Sequence, residues 1–223
     1  TAHELAALGA RVVLLGRKED KLKAVADEIR EDTGREALFF TCDIRDEDKV
    51  RDTVAAIYKQ GQQGDGLVNN AGGQFPSPVA MISQKGWETV IRTNLTGGFL
   101  MAREVFMQGM NKTGGSIVNI GSFAASDPRI NGTAYCTSKA ALHMFSQCLA
   151  QDMREYNIAV NILDPGSMKS EGSSVIPWAQ HDWDQRVEPE VVGPSAVYLA
   201  LRDAQSLTGQ MVLRREFGQT WGE

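Results

Sequence analysis

Short apolar runs alternate with segments of helical periodicity along the whole chain, and that alternation limits the fold more than any other feature. Arg11–Leu15, Ala37–Phe40, a segment opening at Leu67-Val68, Ser116–Ile120, Ile158–Ile162 and Met211–Leu213 read as strands. Between them, helices are expected over 1–8 (closed by Gly9), 18–31, 46–60, 86–110, 134–155 and 190–201. Strands that are apolar at successive positions need cover on both faces, and strand–helix alternation points to parallel pairing. The expected class is therefore α/β, a doubly wound, mostly parallel sheet with helices on both faces. With 223 residues, 42 % of them hydrophobic, the chain can fill one core, so a single domain is expected over 1–223. In such sheets the ligand site lies beyond the carboxyl ends of the strands. The polar stretch 166–187 is long for a structureless connection and reads as a substrate loop.

Charge and composition exclude several classes. A net charge of −5 with no basic run is a poor match for nucleic acid or an anionic membrane. No run approaches the ~18 apolar residues of a membrane span. Cys42, Cys136 and Cys148 are odd in number and lack CxxC spacing, so neither a disulfide frame nor a zinc site is expected. A reducing compartment, the cytoplasm, is the simpler reading. His3, His143 and His181 show no ligand spacing, so no metal is expected, and His143 reads as a structural helix histidine.

The chemistry is concentrated in Tyr135-x-x-x-Lys139, with Ser122 thirteen residues upstream. Four residues make about one helical turn, which sets the ammonium beside the phenol. A phenol titrates near pH ~10, and a neighbouring cation lowers that value, making it a usable acid/base. A serine hydroxyl nearby can hold the oxygen that gains or loses the proton. The pair alone is equally compatible with a helix-surface contact devoid of chemistry.

Polar or small residues stand at five of the six expected strand ends. They are Gly16-Arg17-Lys18, Cys42-Asp43-Ile44, Asn69-Asn70-Ala71-Gly72-Gly73, Gly121-Ser122 and Asp164-Pro165-Gly166. Together with Thr93-Asn94-Leu95 and Tyr135-x-x-x-Lys139, this set resembles the short-chain dehydrogenase/reductase family from Thr1 to about Gly209. The resemblance implies a Rossmann-like fold and hydride transfer with a nicotinamide cofactor. It makes Tyr135 the proton donor or acceptor and gives Ser122 the substrate oxygen. It assigns Lys139 to the nicotinamide ribose and the tyrosine's pKa, and Asn94 to a water linking Lys139 to solvent. It sets Asn70, Ala71 and Gly72 beside the adenosine, Asp43 and Ile44 at the adenine, and Pro165, Gly166 and Ser170 along the cofactor. The alternative for Asn94 is a helix-interior amide bonded to backbone.

Cofactor choice follows from charge. NAD-preferring members tend to carry a carboxylate after the second sheet strand, whereas here Gly16 is followed by Arg17. A guanidinium can bind a 2′-phosphate, so NADP is expected over NAD. The family's first strand and its glycine-rich loop, resembling TGxxxGIG, are not found, and no GxGxxG occurs elsewhere. That loop supplies N–H groups for the pyrophosphate, and its strand is central to the sheet. The expectation is a parent chain longer by about twenty residues, with a truncated, inactive domain kept for oligomer contacts as the alternative. The stretch Gly72–Pro78 with Lys85-Gly86-Trp87 resembles the enoyl-CoA reductase branch, but Ser122 suits a carbonyl. Carbonyl/alcohol interconversion of a small molecule is ranked first, and reduction of an enoyl or oxoacyl thioester second. Met168, Ile176, Trp178 and Trp183 read as an apolar substrate wall or as loop anchors. Helices 86–110 and 134–155 are expected, by resemblance, to build a homodimer or homotetramer.

Overall fold

The computed structural model describes residues 1–61 and 63–222, and of Pro177 and Trp178 only the backbone. The elements are α1 (Ala2–Ala7), β1 (Val13–Gly16), α2 (Glu19–Thr33), β2 (Leu38–Thr41), α3 (Glu47–Lys59), β3 (Gly66–Asn69), α4 (Gln84–Ile91), α5 (Gly97–Val105), α6 (Asn111–Thr113), β4 (Gly115–Ile120), α7 (Thr133–Asp152), β5 (Ile158–Asp164), α8 (Glu171–Ser174), α9 (Gly193–Ala200) and β6 (Met211–Leu213). Local chemistry sets several of the ends. Asp46 caps α3 by accepting from the Lys49 N–H, and Gly34 closes α2 in the left-handed region. β4 starts at Gly115, where φ is +148° and a Cβ would lie 2.4 Å from the Asp65 carbonyl, so only glycine fits.

All strand pairing among the described residues is parallel. The strands form two sheets, β1-β2 and β3-β4-β5-β6. The two sheets share no strand pairing among the described residues. Alternation along each strand divides the core by face. Leu15, Leu67, Ile117 and Val160 pack with Val50 and Val54 of α3, Leu100 of α5 and Ala150 of α7. On the other face Val118 and Leu163 pack against Ala196 and Leu199 of α9, while Leu14 and Phe39 pack against Ala6 of α1 and Ile29 of α2. Helices therefore cover both faces, as expected.

Three elements differ from the reading by periodicity. The expected helix 86–110 is a longer rod in which π-helical turns at Arg92–Thr96 and Phe106–Met110 join α4, α5 and α6. β5 runs to Asp164, which pairs with Leu213, so Asp164 is a strand residue and not the start of the loop. The 166–187 stretch holds α8 and two 3-10 turns, Pro177–Gln180 and Trp183–Gln185. No described helix is long and apolar enough to cross a membrane.

Candidate active site

Ser122, Tyr135 and Lys139 meet at the carboxyl end of β4. Ser122 is the second residue beyond β4, after Gly121, and its Oγ accepts from the Ala124 N–H at 3.2 Å. Lys139 is 5 % exposed and donates from Nζ to the Ile120 carbonyl at 2.7 Å. Its Nζ lies 5.9 Å from the centroid of the Tyr135 ring. Burial pushes the Lys139 pKa down to about 8, against an opposing pull from Asp164. Burial also pushes the Tyr135 phenol above its ordinary value, while Ser122 and Arg129 draw it back. This reverses the expected lowering. The ammonium is turned to the strand carbonyl, and loss of water outweighs it. Such a phenol holds its proton at neutral pH, as a proton donor must.

Asn94 sits in the first π-helical turn, 3 % exposed. Its Oδ1 accepts from the Gly73 N–H at 2.8 Å, and its Nδ2 donates to the Gly73 carbonyl and to Ser138 Oγ, both at 2.9 Å. The amide thus pins the turn after β3 to α7, one residue before Lys139. This is the backbone-bonding alternative, with the side chain fully engaged. Gly72 lies in the same corner, where a Cβ would stand 3.5 Å from Asn94 Oδ1 and 3.8 Å from Lys139 Nζ. Asn70 and Ala71 are exposed in that turn. Beneath it Asn69 donates to Asn119 Oδ1 at 2.9 Å, and Asn119 donates to Ser146 Oγ at 2.8 Å, tying β3, β4 and α7 together.

At the other end of the edge, Arg17 and Lys18 are exposed and make no ion pair among the described residues. Asp43, after β2, is gripped by Arg45, whose Nε donates to Oδ1 at 2.8 Å. The guanidinium, helped by Arg17, holds the Asp43 carboxyl down at about 2. Arg92 donates to the Arg45 carbonyl at 2.8 Å, and a cavity of about 280 Å³ opens between this loop and Lys85, Glu88 and Arg92 of the rod. Ile44 is packed inward. A Cβ on Gly97 would lie 2.4 Å from its Cδ1, so the side chain serves the core more than an adenine face.

Pro165 is buried, and Gly166 turns at φ +75°. Asp164 Oδ1 accepts from the Gly166 N–H at 2.9 Å, and Arg214 Nε donates to the Pro165 carbonyl at 3.2 Å. The Ser170 hydroxyl is used as the cap of α8, accepting from the Ser173 N–H at 3.1 Å. It does not stand free for a cofactor. Lys21 of α2 donates to both carboxylate oxygens of Glu171 at 2.8 and 2.7 Å, joining α8 to the helix that follows Arg17. In the expected apolar wall, Ile176 is 4 % exposed and Met168 packs with the α9 cluster, so both anchor the loop. Trp183 is half-buried, and the Trp178 side chain lies outside the described residues.

Two groups in this corner escaped sequence reasoning. Asp164 looked like an ordinary turn acid before Pro-Gly, yet it is 5 % exposed. His143, taken as structural, has a buried Nε2 without a hydrogen-bond partner among the described residues. The available signal was spacing, since His143 follows Lys139 by one turn on the same helix face.

The comparisons agree on the family. The short chain dehydrogenase family model matches residues 1–178. The 2,3-dihydro-2,3-dihydroxybenzoate dehydrogenase of Bacillus subtilis is 36 % identical over 83 % of this chain and 70 % of its own. The 3-oxoacyl-[acyl-carrier-protein] reductase of Aquifex aeolicus is 28 % identical over 95 % of this chain and 88 % of its own. Among solved structures, a citronellol catabolism dehydrogenase of Pseudomonas aeruginosa is similar with TM-score 0.82 and 40 % identity, covering 95 % of this chain and 85 % of that one. A gluconate 5-dehydrogenase of Burkholderia cenocepacia, in complex with NADP and tartrate, has TM-score 0.85 and 28 % identity over 95 % and 86 % of the two chains. An NAD+-bound xylitol dehydrogenase has TM-score 0.86 and 28 % identity over 96 % and 91 %. With its parallel sheet, its Tyr135–Lys139 pair at the strand ends and a family match over most of its length, this chain belongs to the short-chain dehydrogenase/reductase family of oxidoreductases.

Proposed function

We propose that this protein is an NADP(H)-dependent oxidoreductase that interconverts a carbonyl and an alcohol, with Tyr135 as the general acid/base. The observation that carries this reading is the convergence of Tyr135, Ser122 and Lys139 at the end of β4. The residues fit a nicotinamide dinucleotide on two counts. Arg17 and Lys18 supply unpaired cations for a 2′-phosphate, and Gly72 leaves room beside Lys139 that any larger residue would fill. Pro165 and Gly166 would border the nicotinamide. When bound, the nicotinamide supplies or accepts the hydride. In reduction, Ser122 holds the carbonyl oxygen and the Tyr135 phenol gives it a proton as negative charge builds there. The Lys139 ammonium offsets the charge left on the phenolate. Asn94 keeps the turn at Gly73 in register with Lys139 and acts as a positioning residue. The carbonyl reading is favoured over the enoyl-thioester one because a serine is present to hold an oxygen that takes up a proton. Exposed Phe99, Met107 and Met144 on the rod and α7 suit burial against a second copy of the chain. The free cysteines suit a reducing compartment, the cytoplasm.

The test is NADPH consumption against ketones, oxoacyl thioesters and enoyl thioesters. Turnover with ketones is expected to exceed that with either thioester. Tyr135→Phe is expected to lose at least ~100-fold in kcat, the usual size of a general-acid contribution. Unchanged turnover in that variant refutes the role of Tyr135.

A further inference from the structure

The inner face of α7 carries three proton-binding side chains in two turns. Lys139 reaches the Ile120 carbonyl at the end of β4. One turn on, His143 lies over the residue just after β4, where a Cβ on Gly121 would stand 2.8 Å from its Nε2 and 2.6 Å from Ile162 Cγ2. Tyr135 stands one turn before Lys139. The strand opposite supplies a single acid. Gly121 donates to the Leu163 carbonyl at 2.8 Å, which puts Asp164 next along β5. Side chains on a strand alternate, so Asp164 points to the same face as Ile162, toward α7. Asp164 is buried, and its hydrogen bond within the protein is to the Gly166 N–H. One buried carboxylate thus lies on the sheet face that α7 covers with a phenol, an ammonium and an imidazole. The other neighbouring ionisable groups are Arg129, which precedes α7, and Cys136 beside Tyr135, and both act on the phenol.

We propose that Asp164 is a positioning residue that governs the charge state of Tyr135, Lys139 and His143 together. The proposal rests on the reading of Tyr135 as acid/base for its effect on turnover, but not for its effect on His143. The sign is the same at all three groups. A carboxylate favours the protonated form of each, and Asp164 raises the pKa of the phenol, the ammonium and the imidazole. Burial opposes it at Lys139 and at His143, and Lys139 also presses His143 down. The acid thereby works against the loss of the Lys139 proton that burial favours, and it adds to burial in keeping the phenol protonated for donation.

Asp164→Asn is the natural probe, because the amide oxygen can still accept from Gly166. Two readouts apply. The first is NMR titration of the His143 ring proton, assigned by its loss in His143→Gln. Its inflection is expected to fall by about one pH unit in Asp164→Asn. The second is the pH profile of kcat/KM for NADPH-driven reduction, whose alkaline inflection is expected to move about one pH unit lower, a change that packing alone does not produce. An unchanged His143 titration overturns the proposal. So does an unchanged alkaline inflection while Tyr135→Phe is inactive. If Tyr135→Phe turns over like the wild type, the acid/base reading fails and the His143 titration alone judges the coupling. Should Asp164→Asn not fold, Lys139→Met decides, since removing that cation must raise the His143 inflection, and failure to do so refutes the shared charge set.

Discussion

Replacing Asn94 by alanine puts a number on how much the active-site corner depends on one amide. The side chain makes three hydrogen bonds, two to Gly73 and one to Ser138. Each is worth ~0.5–1.5 kcal/mol net. Gly73 is exposed, so water replaces its two bonds and they count at the low end, about 1 kcal/mol together. Ser138 is fully buried but keeps its own donation to the Tyr135 carbonyl at 2.7 Å, so the lost incoming bond costs about 1 kcal/mol. The space left by the amide at a site only 3 % exposed adds roughly 1 kcal/mol. The total is about 3 kcal/mol, or a fall of ~6–12 °C in Tm for a chain of this size. Urea unfolding followed by circular dichroism measures it. The Lys139 end of α7 also loses its tie to the turn, so kcat is expected to fall more than KM rises. A urea midpoint within about 0.5 kcal/mol of wild type, with kcat unchanged, refutes the claim that Asn94 holds this corner.

Other predictions rest on separate contacts. Gly97→Ala drives a methyl into Ile44, and urea unfolding should show a loss of ~1–3 kcal/mol, with wild-type stability counting against the packing described. Asp43 is held near 2 by Arg45, below its unfolded value, so its contribution is present above pH ~4 and disappears as pH falls toward 2. Urea midpoints of wild type and Asp43→Asn should therefore differ at pH 7, by on the order of 2 kcal/mol at most, and that difference should shrink by more than half by pH 2.5. Arg17→Glu should weaken NADPH binding at least ~10-fold while leaving NADH binding little changed, and equal losses for both would refute the 2′-phosphate assignment.

The strands and the helices between them were legible because each carries a run of β-branched or periodic apolar residues long enough to outweigh local exceptions. The helix over 134–155 and the strand at 211–213 fall within a residue or a turn of the observed α7 and β6. The two π-helical turns were not legible, since one extra residue per turn leaves no compositional trace. The placing of Tyr135 near Lys139 followed from spacing alone. The duties of Asn94, Ile44 and Ser170 did not, because their partners Gly73, Gly97 and Ser173 are specified by how loops lie in space. Asp164 was hidden for the opposite reason. A carboxylate before Pro-Gly is common in turns, and only the extension of β5 shows that it is enclosed.

If Arg17 receives a nucleotide phosphate as proposed, the Lys21–Glu171 bridge lies where it would affect how readily that nucleotide enters and leaves. It joins the first turn of α2, four residues after Arg17, to α8. Both partners are more than half exposed, and pairs of that kind contribute no more than ~1 kcal/mol. A fastening that weak is undone by thermal motion many times within one turnover and is loosened further by salt. The link between α2 and α8 is therefore one that opens easily, and ionic strength becomes a dial on how long a ligand held near Arg17 would dwell.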